Sequence, residues 1–563
     1  MAQNISLSTE LSQNIDLLHR LLPLGKSFDL ITRDLRLGET PAFWLGINGF
    51  CNTEILQQIF SDLQDPHYTL DSEIRDLPRY VQSRLGYAQV SLTSSVDDIL
   101  QNLLSGPSIL LVDGFDQAVI IDVRTYPVRS ISEPDTERST RGARDGFVET
   151  LLFNTNLIRR RVRSAKLTFS ICTLGTESRT DVAIAYLADQ VNEELLETLK
   201  QKLSRLQITS LTMGSKSLEE LLIHKRWWNP LPSIQLTERP DVACSYLCEG
   251  HILLIVDNSP AVLLLPGTIF QFTQSPEDYY NNPLTGTYFR MIRFLCIPVS
   301  LLLLPVFLLL SAYYPEITAS LQLTPVSDLS PFRLFFYVLA VEFLLDLFKY
   351  SAALSSSRVS GALSIVGGLL IGDIAVSLNW ASTEVLFYAA VTMLANLSLS
   401  SIEFADALRI YRILLVVTTG LWGLPGFIIG LTLVSLSMIT TPTFAGFSYF
   451  WPLFPFNGPA LRSLLFRRPT YKAQPSKVWS AVMCIQNEAP IRTETNTQYL
   501  LLLKFSVQTS ARRRTRSGGP RPGPTGAERR PQVQLSLVQS LAERHTFSPI
   551  PITTNTVEIF ITC

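Results

Sequence analysis

Before about residue 285 apolar positions alternate with polar ones at strand or helix spacing, and from Met291 onward long apolar stretches take over. The first of these, Met291–Tyr313 (MIRFLCIPVSLLLLPVFLLLSAY), carries no charge after Arg293, matching the roughly 20 residues a helix needs to cross a hydrocarbon core about 30 Å thick. Arg290 and Arg293 at its front edge are expected in the headgroup layer. The following Tyr314–Pro331 holds Glu316 and Asp328 but no Lys or Arg, so the positive-inside bias has the helix enter from the cytoplasm and leaves everything before it cytoplasmic.

The polar half reads as two α/β parts. Leu11, Ile15, Leu18 and Leu22, then Ile55, Ile59 and Leu63, recur at helical spacing around a short apolar stretch Ala42–Ile47, predicting a small α/β lobe over 1–70. In 71–285, SILLVDG (Ser108–Gly114) and QAVIIDV (Gln117–Val123) predict a hairpin turning at Gly114, Phe115 and Asp116. Further strands are expected at Leu167–Cys172, Val182–Ala185, Ile252–Val256 and Val262–Leu265, and a helix at Ala188–Arg205 with Val191, Leu195, Leu199 and Leu203 on one face. The fold class is therefore a two-lobed α/β cytoplasmic region followed by an all-α transmembrane bundle.

In the apolar half, Leu334–Leu354 contains Glu342, Asp346 and Lys349, and steps of four and three put all three on one helical face. Ionisable groups at membrane depth cost roughly 2.5–3.5 kcal/mol each on insertion scales, so they face protein or water. The stripe is a candidate pore lining or gate; the alternatives are an Asp346–Lys349 pair that fixes packing, or a helix lying in the interface. Val359–Leu378 repeats small residues, with Gly361, Ser364, Gly368, Gly372 and Ala375 at three- or four-residue steps, the pattern of closely packed helices. Asp373 near its middle is a further pore or gating candidate and needs a partner such as Lys349 or Arg358. Glu384–Ser401 is another span, and Glu403, Asp406, Arg409 and Arg412 form a charged turn that its arginines place on the cytoplasmic side. Ile413–Ile439 holds Pro425 among Gly420, Gly423 and Gly426, so it either crosses once with a kink or turns back as a hairpin. The aromatic, proline-rich Phe447–Pro459 reads as interfacial or re-entrant. The bundle thus covers 286–468 with about five to six spans, and the basic, Pro- and Gly-rich tail 469–563 is expected to be mostly disordered.

Composition adds mainly exclusions. A formal net charge of −1 with 17% charged residues gives no basic excess for nucleic acid. Seven scattered cysteines suit a reducing compartment better than a disulfide scaffold. The opening MAQNISLSTELSQ lacks a basic segment leading into an apolar core, so no cleaved signal is expected. Within Asp122–Arg163, the alternating Arg124, Arg129, Glu133, Arg138, Arg141, Arg144 and Asp145 are candidates for ion pairs between domains or subunits, since planar guanidinium suits a carboxylate fork. Arg159–Arg163 has a basic excess that an anionic membrane surface could use. Cys244, Cys248 and His251 offer three zinc-type ligands where a structural site needs four, so no metal is expected. Neither a phosphate loop nor a nucleophile–base constellation is present in the sequence, and the chain reads as a non-enzyme without cofactors.

These stretches, together with TERPDVA (Thr237–Ala243), EGHILLIVDNSP (Glu249–Pro260), QSPEDYY (Gln274–Tyr280), SIVGGLLIGDIAV (Ser364–Val376), EVLFYAAV (Glu384–Val391), SIEFADALRIYRILLV (Ser401–Val416) and WPLFPFN (Trp451–Asn457), resemble the A-type subunits of bacterial spore germination receptors, the GerA family. The resemblance runs in one order from about Ser27 to Lys477. Departures are SSSR (Ser355–Arg358), where members carry a helix-breaking proline, the Ser320–Ser330 loop, and the tail. The resemblance implies a cytoplasmic two-lobed domain ahead of a bundle in the inner spore membrane, homo-oligomers that pass small cations when germination is triggered, and partner receptor subunits. The expected function is an oligomeric cation channel or its gate, centred on Glu342, Asp346 and Lys349. A non-conducting regulatory or scaffold subunit is the alternative, and a secondary transporter comes third. Membrane lipid is an expected partner and nucleic acid is not.

Overall fold

The computed structural model describes residues 5–467 apart from 39, 65–76, 78–88, 126–136, 138–140, 225, 321–329, 355–375, 378–381, 445–447 and 455. The expectations for Arg129, Glu133, Arg138, Gly361, Gly368, Gly372, Asp373 and the tail 469–563 lie outside the described residues.

Among the described residues, ten strands form two five-stranded antiparallel sheets. β1 (Leu30–Leu37), β2 (Thr40–Ile47), β3 (Val90–Thr93), β4 (Ser108–Val112) and β5 (Ala118–Ile121) lie in the order β1-β2-β4-β5-β3. β6 (Leu167–Leu174), β7 (Thr180–Leu187), β8 (Gln235–Thr237), β9 (Ile252–Val256) and β10 (Val262–Leu265) lie in the order β6-β7-β9-β10-β8. Strands β4 and β9 are buried on both faces. Ile109 and Leu111 enter one core while Leu110 and Val112 enter another, which is why such strands read as unbroken apolar runs. Because β2 pairs with β4, with Ala42 opposite Val112, the first sheet draws strands from both sides of residue 70, where the sequence suggested a boundary.

The two sheets are one plan used twice. Asn14 bonds both backbone groups of Ser8 (2.8 and 2.6 Å), and Asn154 bonds both of Val148 (2.8 and 2.5 Å). Leu11, which opens the helix Leu11–Leu21, donates its N–H to Asp113 (3.0 Å), and Leu151, which opens the helix Leu151–Arg161, donates to Asp257 (3.1 Å). A carboxylate there satisfies a free N–H and meets the positive end of the helix dipole. Gly114 and Asn258 follow those aspartates at φ of 86° and 62°, a left-handed conformation that Gly and Asn adopt most readily. LLVDG and LIVDN are therefore equivalent turns.

The lobes are joined by a buried ion pair. Arg159 reaches Asp29 at 2.7 Å with both side chains 1% exposed, and it also donates to the carbonyls of Ser164 and Leu167 (both 2.9 Å). Phe28 N donates to Phe169 O (3.1 Å) beside it. Arg161 pairs with Asp145. Of the four arginines in Arg159–Arg163 expected to offer a basic membrane patch, Arg159 and Arg161 are committed to carboxylates inside the protein, while Arg160 and Arg163 are exposed.

In the apolar half, two described helices are long and apolar enough to cross a membrane, Pro283–Tyr313 (mean hydropathy 2.6) and Ile402–Ile439 (1.9). Pro331–Leu354 has the length but carries the charged stripe, and Thr383–Leu397 is shorter. The helix Ile402–Ile439 is not one crossing. Gly423 at φ 63°, ψ −136° breaks it, and the arms 402–422 and 424–439 fold back on each other. Tyr411 Oη lies 2.6 Å from Ser437 Oγ, and a Cβ on Gly426 would stand 1.9 Å from Thr418 O. Of the two readings the sequence allowed around Pro425, the structure takes the hairpin, and its two ends return to the same α/β surface. There Asn229 accepts from Tyr411 Oη (3.3 Å) and donates to Thr441 Oγ1 (3.0 Å), and Phe444 is already part of the core of the second sheet.

Candidate functional site

The stripe on Pro331–Leu354 meets a matching stripe on the first arm of the hairpin. Steps of four and three bring Glu342, Asp346 and Lys349 to one face, and steps of three do the same for Asp406, Arg409 and Arg412. The helices run antiparallel, so the rungs pair in opposite order. Glu342 meets Arg412 (2.9 Å, both side chains 4% exposed), Asp346 meets Arg409 (3.1 Å, 27% and 23%), and Lys349 meets Asp406 (2.6 Å, 29% and 38%). Arg409 also lies 3.6 Å from Asp406. Three positive and three negative groups balance, and the rungs become progressively more exposed away from Glu342. At the buried end Arg412 donates to Ser300 O (2.8 Å), and Asn396 to Ser300 Oγ (3.2 Å), so the ladder is bonded to two further helices. A cavity of about 20 Å³ bordered by Glu342, Asp346, Lys349 and Arg409 adjoins it, room for one water-sized molecule.

The sequence found one rail of this ladder and missed the other. Glu403, Asp406, Arg409 and Arg412 are not a turn but the first turns of the helix Ile402–Ile439, and their three-residue spacing was the available signal. The alternative of an Asp346–Lys349 pair within one helix is replaced by partners across the helix interface. Arg290 and Arg293, expected among headgroups, are 2% and 7% exposed. Both guanidiniums clasp the fully buried Asp278, Arg290 at 3.0 Å, and Arg290 also caps the carbonyls of Ser463 and Leu464 at the end of the helix Gly458–Leu465 (3.2 and 3.1 Å). The entry and exit of the apolar half are thereby tied together. A lone aspartate in a polar segment gave no periodic sign of this.

The other candidates disperse. Arg124 pairs locally with Asp122 (2.5 Å), Asp145 pairs with Arg161 within its own lobe, and Arg141 and Arg144 are exposed. Buried His251 has its ring nitrogens against Tyr246 O (3.2 Å) and Gln271 Nε2 (2.8 Å), and burial pushes its pKa down to about 3. Cys244 is buried and Cys248 exposed on the same helix, and no three His, Cys, Asp or Glu side chains among the described residues are grouped to hold a metal ion.

Between the second sheet and the start of the hairpin lies a cavity of about 780 Å³. Glu137, Glu238, Asp241, Glu249, Glu277 and Glu403 line it, with no Lys or Arg among its described lining residues. Burial pushes the Glu137 carboxyl up to about 7, against hydrogen bonds from Thr237 and Glu238 N and the nearby Arg239. Burial also pushes Glu249 up to about 7, against the pull of Arg290. Both pKa values exceed the ordinary 4.5, so the folded chain holds protons that the unfolded chain releases. The stability these groups contribute is complete below about pH 4.5 and is lost as pH rises to about 7. The thermal unfolding midpoint should fall between about pH 5 and pH 8, and Glu249→Gln should make that fall shallower.

The chain matches the family model of the Bacillus/Clostridium GerA spore germination protein over residues 20–477. It is 32% identical over 464 residues to stage V sporulation protein AF of Bacillus subtilis (strain 168), covering 81% of this chain and 92% of that one. It is 29% identical over 452 residues to spore germination protein KA of the same organism, covering 79% and 82%. Among solved structures it aligns with the N-terminal domain of the A subunit of the Bacillus megaterium spore germinant receptor GerK3, at 24% identity and a TM-score of 0.35, over 46% of this chain and 96% of that one. The family match starts within the first lobe and continues beyond the exit helix, and by it this chain belongs to the GerA family of spore germination proteins.

Proposed function

We propose that this protein is an A-type germination subunit of the inner spore membrane that assembles with copies of itself and with partner receptor subunits to pass or gate small cations. In this reading residues 1–285 form the cytoplasmic lobes, and the bundle 286–468 crosses the bilayer five to six times. The observation that carries it is the ladder. Six ionisable side chains lie between apolar helices, sealed at Glu342–Arg412 and increasingly open at Lys349–Asp406, a graded arrangement that suits a gate whose exposed rungs face water or a neighbouring copy.

One observation favours the second reading, a non-conducting scaffold: each charge of the stripe has its counter-charge within the same chain. Potassium efflux from liposomes carrying the purified protein, with and without partner subunits, separates the two. The channel reading expects efflux that changes with Glu342→Gln and Asp346→Asn. Absence of efflux under both conditions leaves the scaffold.

A further inference from the structure

The loop between the helix Ser215–Leu222 and β8 contains HKRWWN at residues 224–229. Trp227 is 95% exposed and Trp228 47% exposed, with the Arg226 guanidinium 5.6 Å from the Trp228 ring centre. Two adjacent tryptophans left in water are costly in apolar surface, and tryptophan is enriched where one end of a side chain is apolar and the other wet. The C-terminal end of the loop is held in place by Asn229. Asn229, next in sequence, is the buried clip that bonds Tyr411 on one arm of the hairpin and Thr441 at the end of the other. Beyond Thr441 the chain passes directly into the core of the second sheet at Phe444, so the clip marks the level at which the apolar hairpin gives way to the α/β domain. Just before it on the second arm, Leu436 and Ile439 are 58% and 68% exposed, an apolar edge that ends beside the tryptophan loop.

We propose that Arg226, Trp227 and Trp228 form an interfacial anchor, in which Trp227 and Trp228 enter the headgroup layer of the leaflet facing the α/β domain while Arg226 engages anionic lipid headgroups. Aromatic rings at headgroup depth and basic side chains against an anionic surface are complementary requirements of one interface. Through Asn229 the anchor also fixes the height of the second sheet above both arms of the hairpin. The inference rests on the membrane reading of that hairpin.

The test is tryptophan fluorescence of the full chain in nanodiscs containing phosphatidylglycerol, with bromine placed either high or low on the acyl chain. The expected result is stronger quenching by the shallow bromine and loss of about half of that shallow quenching in Trp227→Phe/Trp228→Phe, with Arg226→Gln weakening it in anionic discs more than in zwitterionic ones. Unchanged quenching in the double variant, while other tryptophans are still quenched, overturns the anchor and leaves the membrane reading standing. Blue-shifted emission from these residues that brominated lipid does not quench also overturns it, in favour of a protein contact. No quenching of any tryptophan overturns the membrane reading itself.

Discussion

Arg412→Gln should destabilise the folded chain by about 3–5 kcal/mol, because it leaves the Glu342 carboxylate buried without its counter-charge. Glu342 and Arg412 are each 4% exposed at 2.9 Å, so water cannot take over the lost interaction at that rung. The partner change Glu342→Gln should cost a similar amount, since Arg412 then faces only the Ser300 oxygens. Replacing both together, Glu342→Leu with Arg412→Met, should recover most of the loss, because a buried pair often does little better than well-packed apolar groups of similar volume. Thermal unfolding in detergent of the parent, Glu342→Leu, Arg412→Met and the variant carrying both gives the coupling directly. If the single variants unfold within about 1 kcal/mol of the parent, the rung is not a buried pair.

Asp278→Asn carries the second large expected effect. Its carboxylate is fully buried between Arg290 and Arg293, and the substitution leaves two guanidiniums facing one neutral amide. Loss of a buried charge partner costs about 3–5 kcal/mol. The structural consequence should be local as well as global. Arg290 holds the carbonyl end of the helix Gly458–Leu465, and Arg467 donates from its guanidinium to Tyr279 O (2.5 Å) and from its backbone N–H to Thr287 Oγ1 (3.1 Å). Releasing that clamp should let the end of that helix unwind, read as faster tryptic cleavage after Arg462 and Arg467 than in the parent at equal protease.

What the sequence revealed and what it hid divide along a physical line. Features written within one element were legible. The LLVDG hairpin follows from apolar runs around a turn, and the charged face of Pro331–Leu354 follows from helical spacing alone. Features that depend on how elements register against each other were not. Asp406, Arg409 and Arg412 carried the complementary spacing, but only the antiparallel packing of the two helices decides which charge meets which. The repeat of the first sheet in the second was hidden for a related reason: Asn14 and Asn154, or Asp113 and Asp257, are recognisable as equivalents only through the bonds they make. The proline and glycines around Pro425 announced a break, yet a kink and a hairpin share that composition. The conformation of Gly423 and the close approach of Gly426 to Thr418 decide between them. Arg159 shows the limit of charge counting, since a basic run at a helix end looks solvated until Asp29, far away in sequence, is found against it.

The ladder as a gate is tested most directly by reversing one rung in the potassium-efflux assay. Glu342→Arg and Arg412→Glu, made singly, each place like charges together inside the apolar half. Made together they restore the pair with its polarity exchanged. Each single reversal should alter efflux relative to the parent, and the double reversal should return it toward the parental rate. Equal efflux from the parent and both single reversals, with all proteins equally folded and reconstituted, would rule out the ladder as a gate.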